Sequence, residues 1–158
     1  MLPLTDRAVR ASFVNCTKGE TQRLAVPRDL ADQPWPDLDF YGWRDPSARD
    51  RGYLVAPRDT GLVGVALRVA AHTGHLRRGM CSLCLTTHPG DGVSLMTARK
   101  STRRDDSVGI YICGDLACPL HVRGKLTTGK RLKESLTTDE QLARMTSNLS
   151  AFLDRVTA

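Results

Sequence analysis

Four cysteines, Cys81, Cys84, Cys113 and Cys118, stand as one C-x2-C and one C-x4-C pair with 28 residues between the pairs. Zinc takes soft, deprotonated ligands at tetrahedral angles, and a two-residue gap lets one tight turn offer both sulfurs from the same side. Cys81 and Cys84 meet that need. The wider gap suits a turn entering a short helix, which would present Cys118 from its first turn. Knuckle, hairpin, then a ligand at a helix start is the treble-clef order. Four thiolates around one structural Zn2+ leave the site with a charge of about −2.

Other chemistries are open to the same residues. His121 stands at ligand spacing from Cys118, and His72, His75 and His88 are near in sequence. Replacement of one cysteine by His121 therefore remains an alternative ligand set. A redox dithiol needs a C-x2-C in a βαβ setting without a second pair, and that setting is missing. A catalytic zinc keeps an open position beside a base. No H-E-x-x-H, G-x-S-x-G or phosphate-cradling glycine loop is present, so the sequence points away from an enzyme. Cys16 has no partner at ligand spacing and reads as a buried thiol behaving like a small hydrophobe.

The elements that must position these cysteines read as a small α+β domain, an antiparallel sheet with a treble-clef-like four-cysteine zinc finger, flanked by an N-terminal and a C-terminal helix. Residues 1–158 form one domain, with a helix and an aromatic-rich loop over 1–52, a hairpin over 53–70, the finger over 80–125 and a helix over 137–156. Thr5 is an N-cap, Val9, Phe13 and Cys16 recur at helical spacing, and Gly19 reads as the stop. Pro27, Pro34, Pro36 and Pro46 exclude a long helix over 26–50. Trp35, Phe40, Tyr41 and Trp43 there read as rings pinning a loop to the body, with base stacking as the alternative.

Residues 53–57 and 61–68 read as strands joined at 58–61, and residues 92–98 and 108–112 as a second pair delivered into Cys113. The apolar-free stretch 99–107 is an exposed loop. Pro119 and Gly124 bracket a short helix, and 125–133 is a basic linker. Thr137 and Glu140 match a capping box, followed by an apolar stripe of Leu142, Met145, Leu149, Phe152, Leu153 and Val156.

Charge falls unevenly. Residues 68–133 hold twelve basic and four acidic side chains, so the cysteine region carries +8 of a formal net +6. Thiolates account for part of that excess, and the rest suggests RNA or an acidic protein face. The absence of an apolar leader and the cysteine spacing give a cytoplasmic expectation.

The blocks 80–87, 109–118 and 121–125, with Phe13-Val14-Asn15-Cys16 upstream, resemble the FBP-domain proteins of actinobacteria. This domain is similar to the C-terminal zinc-binding half of FusB-type fusidic-acid resistance proteins, which bind translation elongation factor G and help release it from a stalled ribosome. The resemblance implies a zinc-stabilised, non-catalytic adaptor for elongation factor G, with Cys81, Cys84, Cys113 and Cys118 in the ligand positions. Leu83, Leu85, Tyr111, Arg123 and Lys125, which flank the metal, are the contact residues expected. The implied partners are elongation factor G and the ribosome or its RNA, with no membrane and no small-molecule substrate. FusB-type proteins also carry a separate N-terminal helical bundle, which the region before Tyr53, short and proline-rich, is not expected to supply in full. Direct binding to RNA or the ribosome is the competing function.

Overall fold

The computed structural model describes residues 1–71, 78–103, 105–127, 130–131 and 133–158. The strands among them are β1 (Tyr41–Arg44), β2 (Arg51–Arg58), β3 (Gly61–Val69), β4 (Arg78–Met80), β5 (Thr87–Pro89), β6 (Val93–Arg99) and β7 (Ser107–Cys113). A five-stranded antiparallel sheet runs in the order β1-β2-β3-β6-β7, and a second, two-stranded sheet pairs β4 with β5. The main sheet is thus a meander, with the finger's small sheet inserted between its third and fourth strands.

Two apolar layers sandwich this sheet, and β2 shows why. Successive side chains on a strand face opposite ways, and β2 is buried on both. Leu54 and Ala56 join a cluster with Met96, Ile110 and Ile112, which helix α4 (Thr138–Thr157) covers through Met145, Leu149, Phe152, Leu153 and Val156. Tyr53 and Val55 join the opposite cluster, built from Val9, Phe13, Leu24, Leu30, Trp35, Tyr41 and Trp43 of the N-terminal segment. The rings there do pin the chain. Trp35 and Tyr41, Tyr41 and Trp43, and Trp43 and Tyr53 each stand 5.2 Å apart by centroid. Each indole donates to a backbone carbonyl, Trp35 Nε1 to Leu30 O and Trp43 Nε1 to Ala25 O, both at 2.9 Å. Burial pushes the Tyr53 hydroxyl up to about 12, aided by its hydrogen bond to Asp45.

The N-terminus departs from its expected single helix. Helix α1 (Asp6–Ala11) ends early, and α2 (Lys18–Gln22) starts from a capping box in which Thr17 and Glu20 satisfy each other's backbone N–H. Gly19 therefore lies inside the second helix rather than stopping the first. The two hydrogen bonds of the box offset the roughly 1 kcal/mol that a helical glycine costs. The chain between the helices is used for pairing. Val14 N donates to Gly64 O at 2.9 Å and Gly64 N to Ser12 O at 2.8 Å, so residues 12–14 run beside β3.

They fill a gap left because β3 and β6 pair only at Arg68↔Thr97 and Val69↔Met96. Asn15 plugs the split. Its amide donates to Ala66 O at 3.0 Å and Arg99 O at 3.2 Å, and its Oδ1 accepts from Ala66 N at 2.9 Å. Asn15→Ala leaves three part-buried backbone groups without their partner, so a loss of about 1–3 kcal/mol is expected. Urea unfolding of the zinc-loaded chain checks it, and an unchanged midpoint contradicts the role given to Asn15.

Three strands escape the sequence reading. β1 sits in the proline-rich stretch expected to be loop, and β4–β5 is a three-residue ladder around the first cysteine pair. From the basic stretch, Lys130 pairs with β5, since Thr87 and Lys130 exchange backbone hydrogen bonds of 2.8 and 2.7 Å.

Candidate metal centre

Each cysteine pair is shaped by its own turn. In the first knuckle Leu85 N donates to Cys81 O and Cys81 N to Thr86 O, both at 3.0 Å. The turn closes with Leu85 in the left-handed region, φ 58°. In the second, Leu116 N donates to Cys113 O at 2.9 Å, Ala117 N to Asp115 Oδ1 at 3.0 Å, and Leu116 takes the same φ of 58°. Each left-handed leucine costs about 1–2 kcal/mol, which only an over-determined site sustains. Helix α3 (Cys118–Val122) then starts at Cys118 itself, with Pro119 where a missing N–H is harmless.

The knuckles are fastened to the body. Ser82 N donates to Tyr111 O at 2.8 Å, and Asn148 of α4 donates to Ser82 O at 3.3 Å and Leu83 O at 3.1 Å. Leu116 packs over β1. A Cβ added at Gly42 would lie 2.6 Å from Leu116 Cβ and 2.9 Å from Leu116 O, so only glycine admits the second knuckle at that strand.

These turns bring Cys81, Cys84, Cys113 and Cys118 together, all buried, with their sulfurs within 4.8 Å of one another. Cys81 Sγ to Cys118 Sγ is 3.6 Å and Cys84 Sγ to Cys113 Sγ is 3.5 Å. A tetrahedral Zn2+ with bonds of about 2.3 Å needs sulfurs about 3.8 Å apart, so the set fits with a small adjustment. The electrostatics make the same point. Hydrogen bonding from Cys113, then from Cys118, pulls the Cys84 thiol down, while burial pushes Cys118 well up. Four enclosed sulfurs cannot all ionise against one another, and a divalent cation in their midst removes that conflict.

The family model described as the FBP C-terminal treble-clef zinc-finger matches residues 8–156. The chain belongs to that family. Among curated proteins and among solved structures nothing matches it significantly. This FBP-type chain accordingly holds one structural zinc at its four cysteines, and in that role the ion supplies cross-linking of two distant knuckles.

Sites read from sequence sort clearly on the FBP-type scaffold. His121 turns Nε2 to Asp115 Oδ2 at 2.8 Å instead of completing the cysteine set. Burial opposes its charge, yet that carboxylate still raises its pKa. His72 and His75 lie outside the described residues. Leu83 is 0% exposed and belongs to the main core. It is therefore a cover for the metal and not a surface contact, because the apolar residue between the first two cysteines is turned inward by the knuckle. Leu85 is half-buried, and Tyr111 is 52% exposed.

Arg123 and Lys125 are committed internally, Arg123 Nη1 to Asp39 Oδ2 at 2.6 Å and Lys125 Nζ to Asp37 Oδ2 at 2.7 Å. Acidic residues of the aromatic stretch thus offset part of the finger's basic excess. Sequence reasoning missed Asn148 and Asp115, and it read His88 only as a possible ligand. His88 Nε2 lies 3.2 Å from Cys113 Sγ, a contact no spacing rule announces across 24 intervening residues. No helix among the described residues is long and apolar enough to cross a membrane.

Proposed function

We propose that this FBP-type chain is a non-catalytic docking protein for translation elongation factor G, promoting release of the factor from the ribosome as FusB-type proteins do. Family membership is the observation that carries this role. The site agrees with it. Four thiolates saturate the ion, which leaves no position for substrate or activated water and makes the metal a cross-link. What the cross-link presents is an apolar surface. Met80 is 51% exposed at the first knuckle, and the exposed Tyr111 lies on the strand whose carbonyl holds Ser82. Half-exposed large side chains on a rigid frame are the pattern of interface anchors.

Direct RNA binding draws less support. Besides Arg123 and Lys125, Arg99 pairs with Glu20 at 2.8 Å and Lys100 with Asp106 at 2.9 Å. Charges already paired release fewer counterions on meeting phosphate. The deciding experiment is titration of purified elongation factor G into the zinc-loaded chain at two salt concentrations. Binding that changes little with salt is expected, and affinity for bare RNA that falls steeply with salt would instead favour the competing function. Tyr111→Ala should weaken factor binding by about 30-fold, the scale of a hot-spot aromatic, with an unchanged melting temperature. Equal affinities for the two proteins would remove Tyr111 from the contact surface.

A further inference from the structure

His88 sits on β5 with its ring buried against the metal centre. Its Nε2 approaches Cys113 Sγ at 3.2 Å, the reach of an N–H donor to a thiolate. The ring stands edge-on to His121, with centroids 4.7 Å apart and planes at 77°, and His121 in turn is hydrogen-bonded through Nε2 to Asp115. A line of contacts therefore leads from a carboxylate at the surface, by a hydrogen bond to His121 and edge-on packing of His121 against His88, to one sulfur of the metal site. Its geometry is built in. A Cβ on Gly92 would lie 2.4 Å from His88 Cβ, so the hairpin leaves a glycine where the imidazole stem passes. Cys81, by contrast, is served by the backbone, with Leu83 N at 3.4 Å and Cys84 N at 3.5 Å from its sulfur.

We infer that His88 is the donor that stabilises the Cys113 thiolate, and that Asp115, acting through His121, holds the His88 ring in place. The inference rests on the zinc assignment and not on the docking partner. A thiolate that accepts an N–H bond is a weaker nucleophile and keeps its metal longer, and outer hydrogen-bond partners of metal ligands typically shift metal affinity by about 10–100-fold. Protection matters at this sulfur. An open cleft lined by Arg44, Arg68, His88, Ser94 and Asp115 gives small electrophiles a route to this side of the finger.

One alternative must be separated. His88, Cys113 and His121 place ligand atoms within 4.8 Å of one another, and His121 keeps a buried Nδ1 without a partner, so the same residues could instead hold a second ion bridged by Cys113. The test uses the zinc-loaded full chain and its His88→Leu, His88→Gln and Asp115→Asn variants. Zinc content is measured first. N-ethylmaleimide is then added, zinc release is followed with a chromophoric chelator, and the alkylated cysteines are mapped by mass spectrometry.

One zinc per chain is expected throughout. His88→Leu should release it about 10-fold faster, with Cys113 rising among the first cysteines alkylated. His88→Gln, whose amide keeps an N–H donor, should restore most of the difference, and Asp115→Asn should show a smaller acceleration. Leucine and glutamine variants with equal rates, or release no faster than the parent's, would overturn the assignment. So would two zinc ions in the parent that fall to one in His88→Leu. Should the leucine variant fail to fold, the glutamine and asparagine variants against the parent decide the same question.

Discussion

Chelation of zinc at neutral pH should abolish the cooperative unfolding transition of this chain, and the tryptophans on the far face of the sheet should report the collapse. The cysteines are not an appendage to the core. Cys81, Cys84, Cys113 and Cys118 lie in one buried cluster with Leu54, Met96, Ile112, Met145 and Phe152. A structural zinc contributes about 10–16 kcal/mol at pH 7, against about 5–15 kcal/mol for a whole domain. No remaining contact in the finger compensates a loss of that size.

Trp35 and Trp43 belong to the other cluster, which holds none of the four ligands. Both clusters nevertheless share β2, Leu54 and Ala56 facing one and Tyr53 and Val55 the other. Disorder in the finger therefore reaches the indoles through the strand. Tryptophan fluorescence and far-UV circular dichroism, recorded during a melt with and without chelator, should change together. A metal-free form that melts within a degree or two of the zinc form would show that the cysteines hold nothing essential.

Phe152→Ala should cost about 3–5 kcal/mol, the range for truncating a buried phenylalanine. Phe152 is among the largest fully buried side chains, on the stripe by which α4 covers the sheet. The same helix pins the first knuckle through Asn148, so the cavity weakens the finger's support as well. For a chain of this size each kcal/mol moves the melting temperature by about 2–4 °C, giving a drop of about 6–20 °C. Leu142 supplies the control. It only packs against the edge of that cluster, and Leu142→Ala should cost much less. Similar losses for both variants in urea unfolding of zinc-loaded protein would mean that α4 is not buried as described.

What the sequence disclosed follows from the range of the interactions involved. The cysteine spacing, the capping box at Thr137 and Glu140, and the alternation along β6 and β7 are local signals, and each corresponds to an element of the structure. Gly124 adopts φ 68° after α3, as a helix stop requires. β1 was hidden because Tyr41-Gly42-Trp43-Arg44 gains its strand character from pairing with β2, and its glycine answers to Leu116, distant in the chain. Gly19 misled for the opposite reason, a strong local breaker overruled by the Thr17–Glu20 box.

At the site, the four ligands were legible because metal geometry imposes sequence spacing. The residues that support them were not. Asn148, His88 and Asp39 meet the finger from α4, β5 and the aromatic stretch, and tertiary packing alone selects them. Leu83 shows the same limit, since its position beside the ligands said nothing about which way the knuckle turns it.

X-ray absorption at the zinc edge reads the metal's ligand shell without requiring a partner or an activity. The zinc-loaded chain should show four sulfur scatterers at about 2.3 Å and no nitrogen or oxygen shell. Three sulfurs with one nitrogen would bring His88 or His121 into the coordination sphere in place of a cysteine. A water oxygen would open the site to catalysis, and either result contradicts a zinc saturated by Cys81, Cys84, Cys113 and Cys118.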